Sequence, residues 1–129
     1  MAEYLTVTGY TGAVAADTDK AVYFCPPSSG ERWKLRAITY LPQATSATNG
    51  TNYCSIRPYF DVGTSTPVAA ARDTSATSFT VGVPENITIT EVGTDLEITQ
   101  AEPLHFDITH PGTGVAVDLA IICSFERMS

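Results

Sequence analysis

The stretch GVAVDLAIICSFERMS, residues 114–129, is where the fold is decided. Read with period two, Val115, Val117, Leu119, Ile121, Cys123 and Phe125 share one face of an extended chain. The opposite face opens with Ala116 and Asp118, turns apolar at Ala120 and Ile122, then polar again at Ser124 and Glu126. RWKLRAITYLP, residues 32–42, repeats the pattern. Trp33, Leu35, Ala37, Thr39 and Leu41 form its expected inner row, while the outer row passes from Lys34 and Arg36 to Ile38 and Tyr40. Both segments read as strands that need a second layer over their apolar side.

The rest of the chain has the same grain. PLHFDIT sets Leu104, Phe106 and Ile108 inward against His105, Asp107 and Thr109. Shorter extended runs fall at residues 4–8, 21–25, 52–62, 68–71, 78–83, 86–92 and 95–100, separated by Gly, Pro, Asn and Thr. Pro58 marks an edge strand or a bulge, and Asn49-Gly50 a positive-φ turn. No segment carries a helical stripe of three turns. Nineteen threonines in 129 residues, with Thr, Val and Ile above a quarter of the chain, favour pleated structure. The fold expected is all-β, an antiparallel sandwich of about eight strands. A jelly roll is preferred over a small barrel or an immunoglobulin-like order. Residues 1–18 read as an N-terminal strand and arm, and residues 19–129 as one sandwich domain.

Charge and composition limit the function classes. A net charge of -7 with only two lysines repels a phosphate backbone, so no nucleic-acid partner is expected. No run of eighteen apolar residues spans a membrane, and the N-terminus lacks the basic-then-apolar pattern of a signal peptide. Cys25, Cys54 and Cys123 sit in apolar runs and read as small buried thiols from a reducing compartment, although one pair within the chain remains open.

Chemistry is thinly signalled. His105 and His110 are the only histidines, and with Asp107 they fall short of a zinc set. Glu91, Asp95 and Glu97 lack the spacing of a calcium loop. There is no GxSxG elbow and no phosphate-cradling glycine loop. No catalytic residue, metal or cofactor is expected. Tyr40, Tyr53 and Tyr59 are the candidates for a sugar-stacking platform.

Two strands with an apolar outer row point to a contact patch, and Ile38, Tyr40, Ala120 and Ile122 are its expected residues. The competing reading folds the N-terminal segment, Tyr4 to Val7, or a long loop over that patch within one chain.

Residues 28–60, SSGERWKLRAITYLPQATSATNGTNYCSIRPYF, carry a resemblance. A short loop precedes a strand that opens with Trp and basic residues and ends in an aliphatic-Pro turn. A Thr/Ala/Asn-rich loop then leads to the next strand. Residues 103–126 add an extended strand, a Gly-rich turn and a long final strand. Over roughly residues 19–127, strongest at Trp33, Pro42, Gly112 and Gly114, this resembles the head decoration, or cement, proteins of tailed bacteriophages and related jelly-roll virion proteins. The resemblance implies a homotrimer made in the host cytoplasm and seated on the outer capsid surface against the major capsid protein. It also implies a capsid-binding arm, placed here at Glu3, Tyr4, Leu5 and Val7. The rival expectation is a receptor- or glycan-binding module of a fibre or tail.

Overall fold

A computed structural model describes residues 3–26, 28, 30–60, 67–90 and 96–128. Its strands are β1 (Tyr4–Tyr10), β2 (Lys20–Phe24), β3 (Trp33–Pro42), β4 (Ser55–Tyr59), β5 (Arg72–Asp73), β6 (Glu85–Ile87), β7 (Glu97–Ile98), β8 (Leu104–Thr109) and β9 (Leu119–Arg127). They form two antiparallel sheets, one ordered β1-β9-β3-β6 with β7 also on β3, the other β2-β8-β4-β5. First pairs with last, second with next to last, and so inward to β4 with β5. A long hairpin rolled up in this way is a jelly roll. One position of the roll is split, because β6 and β7 lie on successive parts of the same edge of β3.

The core lies where the inner rows of β3, β8 and β9 meet. Leu104, Phe106 and Ile108 are buried, as are Leu119, Ile121, Cys123 and Phe125, so plain alternation describes β8 and β9. It fails on β3. Leu35 faces Phe125 across the ladder but Ala37, two residues on, faces the adjacent Ser124, which leaves Arg36 as an extra residue in a β-bulge. Beyond the bulge the pleat has changed sides. Trp33 and Leu35 point inward before it, and Ile38, Tyr40 and Pro42 after it, while Ala37 is exposed. The expected inner row of Ala37, Thr39 and Leu41 is therefore corrected. Tyr40 packs edge-on against Phe79 and Phe106, with ring centroids at 6.5 and 6.0 Å.

The N-terminal segment is part of the roll. β1 pairs with β9 from Tyr4↔Glu126 to Tyr10↔Ala120, Thr11 is buried, and Val14 exchanges backbone hydrogen bonds with Val117. The division at residue 18 thus separates nothing in the sheet. Pro58 sits in β4 beside β8 yet disturbs no ladder, since β5 pairs only with Ser55 and Ile56. The loop at Asn49 is closed by its side chain, whose Oδ1 accepts the Thr51 and Asn52 N–H groups, and Gly50 does not adopt positive φ. The cysteines are free. Cys54 and Cys123 are buried, with burial pushing the Cys123 thiol up to about 12, but Cys25 is exposed. The expected acidic positions Glu91 and Asp95 lie outside the described residues.

Candidate functional site: an open flank and an aromatic stack

The two long sides of the sandwich are built differently. On the β5–β6 side, Arg72 of one sheet grips Glu85 of the other, Nε to Oε1 at 2.6 Å and Nη2 to Oε2 at 2.9 Å. The same guanidinium donates to the Thr77 and Ser78 carbonyls at 2.9 and 3.0 Å and lies 4.3 Å over the Phe79 ring. Two short, charged strands and a bidentate ion pair seal that side.

The β1–β2 side is open. Tyr4, Leu5, Tyr10 and Tyr23 are 62, 42, 65 and 57% exposed, four of the seven large apolar or aromatic side chains left in solvent among the described residues. Between the strands runs a groove of about 240 Å³ lined by Leu5, Val7, Tyr23, Phe24, Cys25, Pro26, Trp33, Ile98 and Phe125. β1 itself, YLTVTGY, contains no charge and no proline, and among the described residues nothing pairs with its outer edge. The expected arm residues Tyr4, Leu5 and Val7 thus form part of this flank, held in the sheet rather than hanging free. Glu3 sits beside Arg127, its carboxylate 3.7 Å from the guanidinium.

The expected contact patch is not assembled. Ile38 and Tyr40 are 1% and 0% exposed in the chain's own core, turned there by the bulge at Arg36. Ala120 does lie on the outer face, but it is buried between its register neighbours Tyr10 and Leu41. Ile122, between Thr8 and Thr39, is half-buried. The four residues share no surface, and Ile38 and Tyr40 have no area to offer another copy.

A second feature lies on the outer face of the other sheet. Register brings Tyr23 of β2, His105 of β8 and Tyr59 of β4 side by side. The imidazole is stacked between the two phenols, at centroid distances of 5.2 and 5.5 Å. His105 is buried by those rings. Its Nε2 is 3.4 Å from Asp107, and its Nδ1 has no hydrogen-bond partner among the described residues. Beside the stack is a shallow hollow lined by Ser55, Arg57, Tyr59, Ala71, Asp107 and Thr109. Of the three tyrosines expected on a sugar platform, Tyr59 stands here, Tyr40 is in the core, and Tyr53 is not among the stacked rings. His105 was legible only as an outward residue of its own strand, and nothing in the sequence singled out Tyr23 as its neighbour. His105 and His110 do not converge, and no cluster able to hold a metal ion occurs among the described residues.

No protein-family model matches the chain. No curated protein matches it either. Among solved structures, the chain is similar to one titled "Structure of infectious bursal disease virus Gt strain", at 12% identity and a TM-score of 0.20, covering 98% of this chain and 42% of that one. A likeness at that level carries no argument about function.

Proposed function

We propose that this protein is a structural component of a tailed-phage virion, a decoration protein that seats on the outer surface of the capsid against the major capsid protein. The observation that carries the reading is the open β1–β2 flank. An acidic chain that closes one side of its sandwich with an ion pair, and leaves four large side chains and an apolar groove exposed on the other, has an attachment surface. The resemblance of residues 19–127 to decoration proteins supplies the kind of partner, and jelly rolls recur in viral shells, a fold-level analogy. The three-fold contact implied by that resemblance loses Ile38 and Tyr40, so attachment to the shell is the core of the proposal.

The test is co-sedimentation of purified protein with expanded capsids that lack it. Deleting β1 would uncover β9 and unfold the roll, so point substitutions are required. Wild type should bind saturably, and a Tyr4→Ser/Tyr10→Ser variant with an unchanged urea midpoint should bind about tenfold more weakly. Absence of saturable binding, or equal binding by the variant, refutes the proposal.

The Tyr23–His105–Tyr59 stack favours a second reading, a glycan-binding module. Phenol rings beside the Asp107 carboxylate, the Arg57 guanidinium and two hydroxyls offer both the apolar and the hydrogen-bonding chemistry of a sugar site. Retention on a glycan array that is lost with Tyr59→Ala would favour it over shell attachment. No retention on any glycan sinks it.

A further inference from the structure

We infer that the outer edge of β1 is a self-pairing surface, and that two copies join there as antiparallel strands about a two-fold axis at Val7. Three observations converge on this.

The first is which backbone groups lack a partner among the described residues. The Arg127 N–H donates to the Glu3 carbonyl, and the Thr11 N–H donates to the Leu119 carbonyl at 2.9 Å. In an antiparallel ladder the bonded positions alternate, so Leu5, Val7 and Gly9 turn their N–H and C=O groups toward β9, as do the Glu3 carbonyl and the Thr11 N–H. Tyr4, Thr6, Thr8 and Tyr10 therefore turn theirs toward the open edge. The second is the sequence YLTVTGY, which is nearly the same read in either direction about Val7. Two-fold pairing sets Tyr4 opposite Tyr10 and Thr6 opposite Thr8 of the other copy. Those are the residues whose groups have no ladder partner among the described residues, and they close on the order of eight N–H···O bonds. Aromatic–aromatic and Thr–Thr are favoured cross-strand pairs. On the inner face Leu5 lies opposite Gly9, whose missing side chain makes room for the chain's own Phe24 ring, 2.7 Å from where a Cβ would stand. Val7 meets Val7 on the axis as a non-hydrogen-bonded pair.

The third observation is charge. A chain of net charge -7 resists meeting itself, yet β1 carries no charge. Antiparallel pairing opposes Glu3 to Thr11, which keeps the two Glu3 residues about 27 Å apart. The other edges are shorter or charged: β2 begins at Lys20, β5 is Arg-Asp, and β6 begins at Glu85. The occupant assigned to the β1 edge is thus a second copy of this chain. The pair makes one continuous sheet with β9, β3 and β6 of both copies, and leaves the outward tyrosines available to a shell.

Sedimentation equilibrium of the purified chain at micromolar concentration tests this without a capsid, so its failure is distinct from failure of the proposed function. The expected mass is twice that of the chain. Thr8→Pro removes an N–H that faces only the other copy, and its ring blocks the approach. It should weaken the dimer about thirtyfold or more while the β1–β9 ladder persists, and Thr8→Val should not. Val7→Cys in a Cys25→Ser background should give a covalent dimer on oxidation, because the pair on the axis has the short Cα separation a disulfide needs. A monomeric or trimeric wild type, a dimer indifferent to Thr8→Pro, or failure of Val7→Cys to cross-link would each overturn the inference.

Discussion

Deleting Arg36 should unfold or nearly unfold this protein, whereas Arg36→Ala should be tolerated. The deletion removes the extra residue of the bulge and forces β3 into unbroken alternation. One half of the strand must then turn over. If the second half turns, Ile38 and Tyr40 leave the core, and full burial of such side chains is worth about 1.5–3 kcal/mol each. If the first half turns, Trp33 and Leu35 leave instead, at a similar or larger loss. Inward rotation of Thr39 and the half-buried Leu41 recovers part of this, so the net loss is roughly 3–5 kcal/mol. That is a large share of the ~5–15 kcal/mol that holds a domain together. Arg36→Ala keeps the residue count and loses only a solvent-facing pair with Glu126, so its effect should be small. Trp33 is the only tryptophan and is buried, so urea unfolding followed by its fluorescence reads both variants. A deletion variant with an unfolding free energy within about 1 kcal/mol of Arg36→Ala would refute the bulge as the device that faces Ile38 and Tyr40 inward.

Three further outcomes follow from single sites. Tyr40→Phe should stabilise the chain by about 1 kcal/mol in urea titrations. The Tyr40 hydroxyl is buried with no partner among the described residues, desolvation holds its pKa well above the ordinary phenol value, and the ring contacts survive. A loss of stability above that amount would contradict the geometry. Gly114→Ala should lose about 2 kcal/mol or more in thermal melts, since φ is +69° and a Cβ there runs into the Ala16 carbonyl and the His110 side chain. Asp73→Asn should flatten the acid limb of the stability profile. The Ser75 hydroxyl and N–H lower the Asp73 pKa in the folded state, so its contribution is present above the unfolded value and lost as pH falls through the folded one. Identical acid limbs for the two proteins would remove that role.

The sequence by itself determined the class of fold and most of its inner rows. Strong alternation in residues 104–109 and 119–125 placed Leu104, Phe106, Ile108, Leu119, Ile121, Cys123 and Phe125 correctly, because β8 and β9 keep an unbroken pleat and each residue's face follows from counting by two. Only the tertiary structure decided the rest. Counting by two fails after an inserted residue, and the bulge is set by how β3 registers on β9, a partner some ninety positions away in the chain. The apolar outer row at Ile38 and Tyr40 was thus a core row read across an unseen slip. The stack of Tyr23, His105 and Tyr59 and the open β1–β2 flank have the same origin, because strand order places distant residues side by side. Hydrophobic periodicity records which face a residue takes within its own strand and carries no information about its neighbour.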